Sequence, residues 1–173
     1  MNHTSSALQH LAHVPIAADL PMQLGSITVT PFSTPHDSVD PLGFALRAGS
    51  CRVCILSDIG FLPESVRNRL RNCDLLVIES NHDLEMLRTG PYPWSLKQRV
   101  MSNYGHLSNE ALAYFLNEHV DGLQRKIMLT HLSRQNNHPQ IAYISATRAV
   151  EKKCRDAEII ISMQDEISDI VEM

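Results

Sequence analysis

Residues 73–80 read CDLLVIES, a nearly continuous apolar run of strand length. A strand whose two faces are both covered reads this way, because neither face needs polar residues for water. Upstream, LPESVRNRLRNC (62–73) reads as a helix opened by Pro63. Before it, GFALRAG (43–49) and CRVCILSD (51–58) are two strands joined by a tight Ala48-Gly49-Ser50 turn, and SITVTPF (26–32) alternates as a strand should. Downstream, HDLEMLRTG (82–90) and WSLKQRVMS (94–102) are short helices separated by the stiff segment Gly90-Pro91-Tyr92-Pro93. A helix capped by Ser108 carries Leu112, Phe115 and Leu116 on one face. QRKIMLTHLS (124–133) is a second buried strand, NHPQIAYISATRAVEKKCR (137–155) a helix, and AEIIISMQ (157–164) a last strand. Strands separated by helices of this size describe a layered α/β domain. Residues 1–21 show no sustained period beyond a possible turn of helix at Ser6 to Ala12, and Pro15 and Pro21 interrupt them. They read as an irregular N-terminal lead to a domain over 22–173.

Composition bounds the class. With 173 residues, 43% apolar and 20% charged, the chain suits one hydrophobic core, and a net charge of −4 provides no global field for nucleic acid or anionic lipid. No run approaches the roughly 20 apolar residues of a membrane span, and no secretory leader is legible, so a cytoplasmic protein is expected. Cys51, Cys54, Cys73 and Cys154 are too scattered for a disulfide scaffold, and Cys51-x-x-Cys54 lies along a strand with no second pair in reach. Nine histidines are the unusual feature.

Three polar residues stand where α/β folds place ligand groups, at or beyond strand ends: His36, Asp58 and His131. Two imidazoles and a carboxylate suit Zn²⁺ or Mn²⁺. Separate structural roles, with Asp58 capping a loop and each histidine donating to a carbonyl, explain the same residues. His106 precedes a helix, where it can act as general acid or phosphate ligand, or serve only in the helix cap. His82 has Glu79 and Asp83 nearby and either lines a charged pocket or belongs to a local cap. His3, His10, His13, His119 and His138 read as surface residues. The arginines of residues 67–71 and the cations Arg88, Lys97 and Arg99 can line a phosphodiester path or simply face water.

Taken together, PHDSVDPLGF (35–44), ILSDIG (55–60), VIESNHDLEMLRTGPYPWSLKQRV (77–100), GHLSNEALAYFL (105–116) and LTHLSRQNN (129–137) resemble the metallo-β-lactamase-fold nucleases of the WalJ/YycJ exonuclease group, relatives of ribonuclease Z. The resemblance runs from about Gly25 to Glu166. It implies a metal-dependent phosphodiesterase acting on DNA or RNA, with His36, Asp58 and His131 as metal ligands and Asp58 shared between ions. His106 would be the histidine at the scissile phosphate, and His82 a pocket residue.

The same resemblance implies an opening His-x-His-x-Asp-His cluster, and no such string occurs in this chain. The expectation is therefore the C-terminal half of an αββα sandwich, a mixed sheet with helices on one face, whose metal-binding motif is absent and whose ions are undercoordinated. Its status as an enzyme is open, the alternative being a catalytically inactive remnant or structural oligomer. An uncovered apolar sheet face would favour a homo-oligomer or a separately encoded N-terminal half as partner.

Overall fold

The computed structural model describes residues 14–119, 126–151, 153 and 156–173. The suggested helix at Ser6 to Ala12, together with His3, His10, His13 and Cys154, lies outside them.

The chain folds as β1 (Met22–Leu24), β2 (Ile27–Ser33), β3 (Leu42–Ala48), β4 (Cys51–Leu56), α1 (Glu64–Arg69), β5 (Leu75–Glu79), α2 (Leu84–Thr89), α3 (Trp94–Val100), α4 (Asn109–His119), β6 (Lys126–Thr130), α5 (Pro139–Val150) and β7 (Glu158–Ile161). All seven strands form one sheet in sequence order. The first four pair antiparallel. The last four pair parallel, and helical crossovers lead into β5 and β7. The β3–β4 hairpin closes through Gly49 and Ser50, with Ala48 opposite Cys51 and Gly49 at a φ of 59° that a side chain would strain.

Strand alternation sorts the sheet into two faces. Phe32, Cys54, Leu56, Leu76, Ile78, Ile127 and Leu129 pack with Val66 of α1, Leu112, Phe115 and Leu116 of α4, and Ala142 and Ala146 of α5 as one core. The small residues of α5 let that helix approach α4 closely. On the other face Phe44, Leu46, Val53, Val77, Met128 and Ile160 are half-buried and Ile55 is exposed. The C-terminal residue Met173 reaches that side of the sheet, its Sδ lying 4.0 Å from Cys51 Sγ.

Local chemistry sets the helix ends. Asp83 caps α2 by accepting from Met86 N at 2.8 Å, and Ser108 Oγ accepts from Ala111 N at 3.1 Å at the start of α4. His138 is exposed, as read from sequence, and is also the N-cap of α5, its Nδ1 accepting from Gln140 N at 3.2 Å. Pro63 stands one residue outside α1, as its N-cap. Cys54 and Cys73 are buried, the Cys73 thiol donating to Leu70 O at 3.2 Å, and Cys51 is partly buried; none of the three is in a disulfide. Among the described residues no helix is long and apolar enough to cross a membrane.

Candidate metal centre

Strand direction brings the candidate residues to one end of the sheet. β4, β5 and β6 run parallel, so Asp58 beyond β4, Glu79 at the end of β5 and His131 beyond β6 emerge side by side. Two antiparallel reversals make β2 run with β4, so the loop carrying His36 opens at the same edge. His106 arrives from the α3–α4 connection, which is tied to the sheet edge by Asn81 N donating to Leu107 O and Asn109 N to His82 O, each at 2.8 Å.

Asp58 sits among three imidazoles. Its Oδ1 lies 3.8 Å from His36 Nε2 and 3.7 Å from Nδ1 of both His106 and His131. These separations are too long for hydrogen bonds. The separation from His36 Nε2 approaches the roughly 3.4 Å between two donors that share one ion through bonds of about 2.0–2.1 Å, whereas the two Nδ1 atoms are hydrogen-bonded to Glu79. Two groups of ligating atoms result, His36/Asp58/His106 and Glu79/His106/His131, each with its atoms within 4.8 Å of one another. Nitrogen and anionic oxygen in this mixture suit a borderline divalent cation. The expectation that the metal-binding motif is absent is thus corrected. The two ligand clusters draw on residues spread over 70 and 52 positions of the sequence, assembled by the sheet and not by a contiguous string. Asp58 and His131 both adopt left-handed φ values, 54° and 58°, a conformation costing non-glycine residues on the order of 1–3 kcal/mol and concentrated at functional sites.

Glu79 is the residue that sequence reading missed. It is fully buried; its Oε1 accepts from His106 Nδ1 at 2.7 Å and His131 Nδ1 at 3.0 Å, while Oε2 accepts from Ile59 N at 2.9 Å. Burial alone would push this carboxyl up, but hydrogen bonds from the two histidines outweigh it and hold it below the usual carboxylate range. In return the Glu79 carboxylate raises the His131 imidazole above its ordinary value, against the effect of desolvation. With Nδ1 engaged, His106 retains Nε2 for a ligand. The available signal was a lone carboxylate closing the apolar run of β5.

The remaining loops are fixed by close packing. His36 Nδ1 donates to Gly105 O at 3.0 Å, which leaves Nε2 for the centre, and Asp37 N donates to Tyr104 O at 3.1 Å. Arg99 pairs with Asp37 through two nitrogens and holds its carboxyl below the usual range. A Cβ at Gly105 would lie 2.2 Å from Arg99 O, and one at Gly60 2.3 Å from Asn103 backbone, so the α3–α4 connection is wedged between two ligand loops. A buried network of Ser80, Asn109 and Asn137 knits the end of β5 to α4 and α5.

His82 lies apart from these donors. It is 1% exposed and neither ring nitrogen has a hydrogen-bond partner, so burial drives its pKa down to about 4. A histidine kept neutral when folded and protonated when unfolded costs stability as pH falls below about 6.5, until about pH 4. Between pH 7.5 and 5.0 the wild type is expected to lose about 2 kcal/mol more than His82→Leu, measured by urea unfolding at both values. Equal losses would refute the neutral, buried assignment.

Beside His106 and His131 opens a cleft of about 420 Å³, whose wall includes Tyr92, Arg99, Arg134 and Asn136. Of the cations singled out in the sequence, Arg99 reaches it. Lys97 is buried with its ammonium on Arg88 O, and Arg69 pairs with Asp19.

Comparison with known proteins follows the same lines. The family described as "Beta-lactamase superfamily domain" matches residues 2–132. This corrects the expectation of a C-terminal half-sandwich: the family match is not confined to a C-terminal part but spans most of the chain. The chain is 34% identical over 129 residues to the exodeoxyribonuclease YycJ of Bacillus anthracis, covering 75% of this chain and 49% of that protein. It therefore spans about half the length of the curated relatives it matches. In fold it is similar to the metallo-β-lactamase fold protein YhfI from Bacillus subtilis, with a TM-score of 0.59, 21% identity, and coverage of 86% of this chain and 52% of that one. It is also similar to Zn²⁺-bound PqqB from Methylobacterium extorquens, with a TM-score of 0.56, 18% identity, and coverage of 85% and 48%. The chain belongs to the β-lactamase superfamily, as a metallo-β-lactamase-fold domain related to the YycJ/WalJ exonucleases.

Proposed function

We propose that the chain carries a metal-dependent phosphodiesterase site that hydrolyses DNA, with His36, Asp58 and His131 as metal ligands, Asp58 shared, and Zn²⁺ or Mn²⁺ as the ion. The observation that carries this reading is Asp58 Oδ1 within 3.8 Å of nitrogens of His36, His106 and His131. A divalent ion bound there supplies positive charge to the transferring phosphoryl group and activates water for attack.

The chain's own residues do the rest. Glu79 accepts from His106 Nδ1, and its negative charge supports the ring as an imidazolium with a proton on each nitrogen; that cation gives its Nε2 proton to the departing oxygen and is left as the neutral Nδ1–H tautomer. The same carboxylate holds the His131 ring, and Gly105 O holds that of His36, so the donors are oriented before any ligand arrives. Similarity to exodeoxyribonucleases supports DNA as substrate and attack near a strand end.

The test uses the purified full chain with single-stranded and duplex DNA. Chelation is expected to abolish hydrolysis, and Zn²⁺ or Mn²⁺ to restore it and raise Tm, since an ion that binds only the folded state stabilises it. Hydrolysis that survives chelation, or ions that leave Tm unmoved, would overturn the proposal.

A further inference from the structure

The segment GPYP and the loop RQNN belong to the stretches that identify the family resemblance, yet the chemistry above uses neither. In the structure they form facing parts of the cleft that opens from His106 and His131. Gly90 permits this contact, because a Cβ there would lie 2.4 Å from Asn136 Oδ1. Tyr92 stands between Pro91 and Pro93, so its backbone is restricted before any ligand arrives and little conformational freedom remains to be lost.

The cleft's contents point to a nucleotide. A half-buried tyrosine ring offers a stacking surface for a base. Two guanidiniums line the same space, and their partners separate their roles. Arg99 clamps the His36 loop through Asp37. Among the described residues Arg134 pairs only with Asp165 on the surface, both side chains more than half exposed, an arrangement worth little and readily exchanged for a phosphate. At about 420 Å³ the cleft falls at the lower end of small-ligand pockets, which suits one nucleotide and not a length of strand.

Resting on the proposed function, we infer that this cleft is the subsite for the terminal nucleotide of a DNA strand, with the base on Tyr92 and its phosphate on Arg134. The cleft thereby sets cleavage at an end, because only a terminal nucleotide can enter it while the adjoining phosphodiester rests at His106.

The experiment measures binding of the metal-free full chain, by fluorescence anisotropy, to a short single-stranded oligodeoxynucleotide and to the same strand with an abasic terminal residue at either end. Loss of one terminal base is expected to weaken binding about tenfold, the effect of one stacked base. Tyr92→Ala should erase that difference, and Tyr92→Phe, which keeps the ring, should preserve it. Arg134→Ala should weaken binding to all strands by a common factor and lower the salt slope by about one. Equal affinity for intact and abasic strands, absence of binding to either, or discrimination surviving Tyr92→Ala overturns the subsite. Discrimination by a chain that hydrolyses nothing when metal is added upholds the subsite and sinks the catalytic reading. Metal-dependent hydrolysis without discrimination does the reverse.

Discussion

Asp58→Ala is expected to lower hydrolysis by on the order of 10³-fold and to abolish the metal-induced rise in Tm. A bound ion contributes several kcal/mol of charge stabilisation to the transition state, and each 1.36 kcal/mol is tenfold in rate. Asp58 stands among all three imidazoles, so its removal takes a ligand from the centre as a whole. Two companion variants separate ligation from folding. Asn tolerates the left-handed backbone of this position and Gly prefers it, so Asp58→Asn and Asp58→Gly should be at least as stable as Asp58→Ala in urea. All three should be equally inactive. An Asp58→Asn protein retaining more than about a tenth of wild-type turnover would show that the carboxylate is no shared ligand.

The second large effect falls on the fold as well as the site. Glu79→Ala is expected to cost about 3–5 kcal/mol, because truncating one partner of a buried charged cluster leaves the others desolvated and unpaired. His106 Nδ1, His131 Nδ1 and Ile59 N would all lose their acceptor. For a chain of this length the loss corresponds to a fall in Tm of roughly 10 °C.

Glu79→Gln keeps the shape and one acceptor, so it isolates the charge. In the metal-free protein the raised His131 contributes stability below about pH 6.5 that disappears as pH rises through its folded value. The depressed Glu79 contributes above about pH 4.3 and is lost as pH falls through its own. The stability gap between wild type and Glu79→Gln should therefore be widest between about pH 4.5 and 6.5, measured by urea unfolding. A flat gap across pH 4–8 would remove the carboxylate from this role.

These two residues also mark how far the sequence could be read. Asp58 was legible because it ends a strand whose apolar pattern is unmistakable, and because ILSDIG resembles a known motif. Glu79 ends an equally clear strand, yet its partners stand 27 and 52 residues away, and only the order β4-β5-β6 puts them within 3.0 Å. His138 was read as surface and is exposed, but its neighbours do not reveal that its ring also caps a helix. The short β1, which no periodicity announces, exists through its pairing with β2.

The missing His-x-His-x-Asp-His string misled in a different way. A contiguous motif is one route to a metal site, and its absence suggested undercoordination. Ligand clusters require only that donor atoms converge, and here four loops and a strand end supply them. What the sequence alone determined was the series of buried strands and helices, because period and turn chemistry are local. It also singled out His36, Asp58, His106 and His131 as candidates. The tertiary structure decided which atoms meet, that Glu79 anchors two of the histidines, and that GPYP faces RQNN across a cleft, because those contacts follow from strand order and direction, which local sequence does not encode.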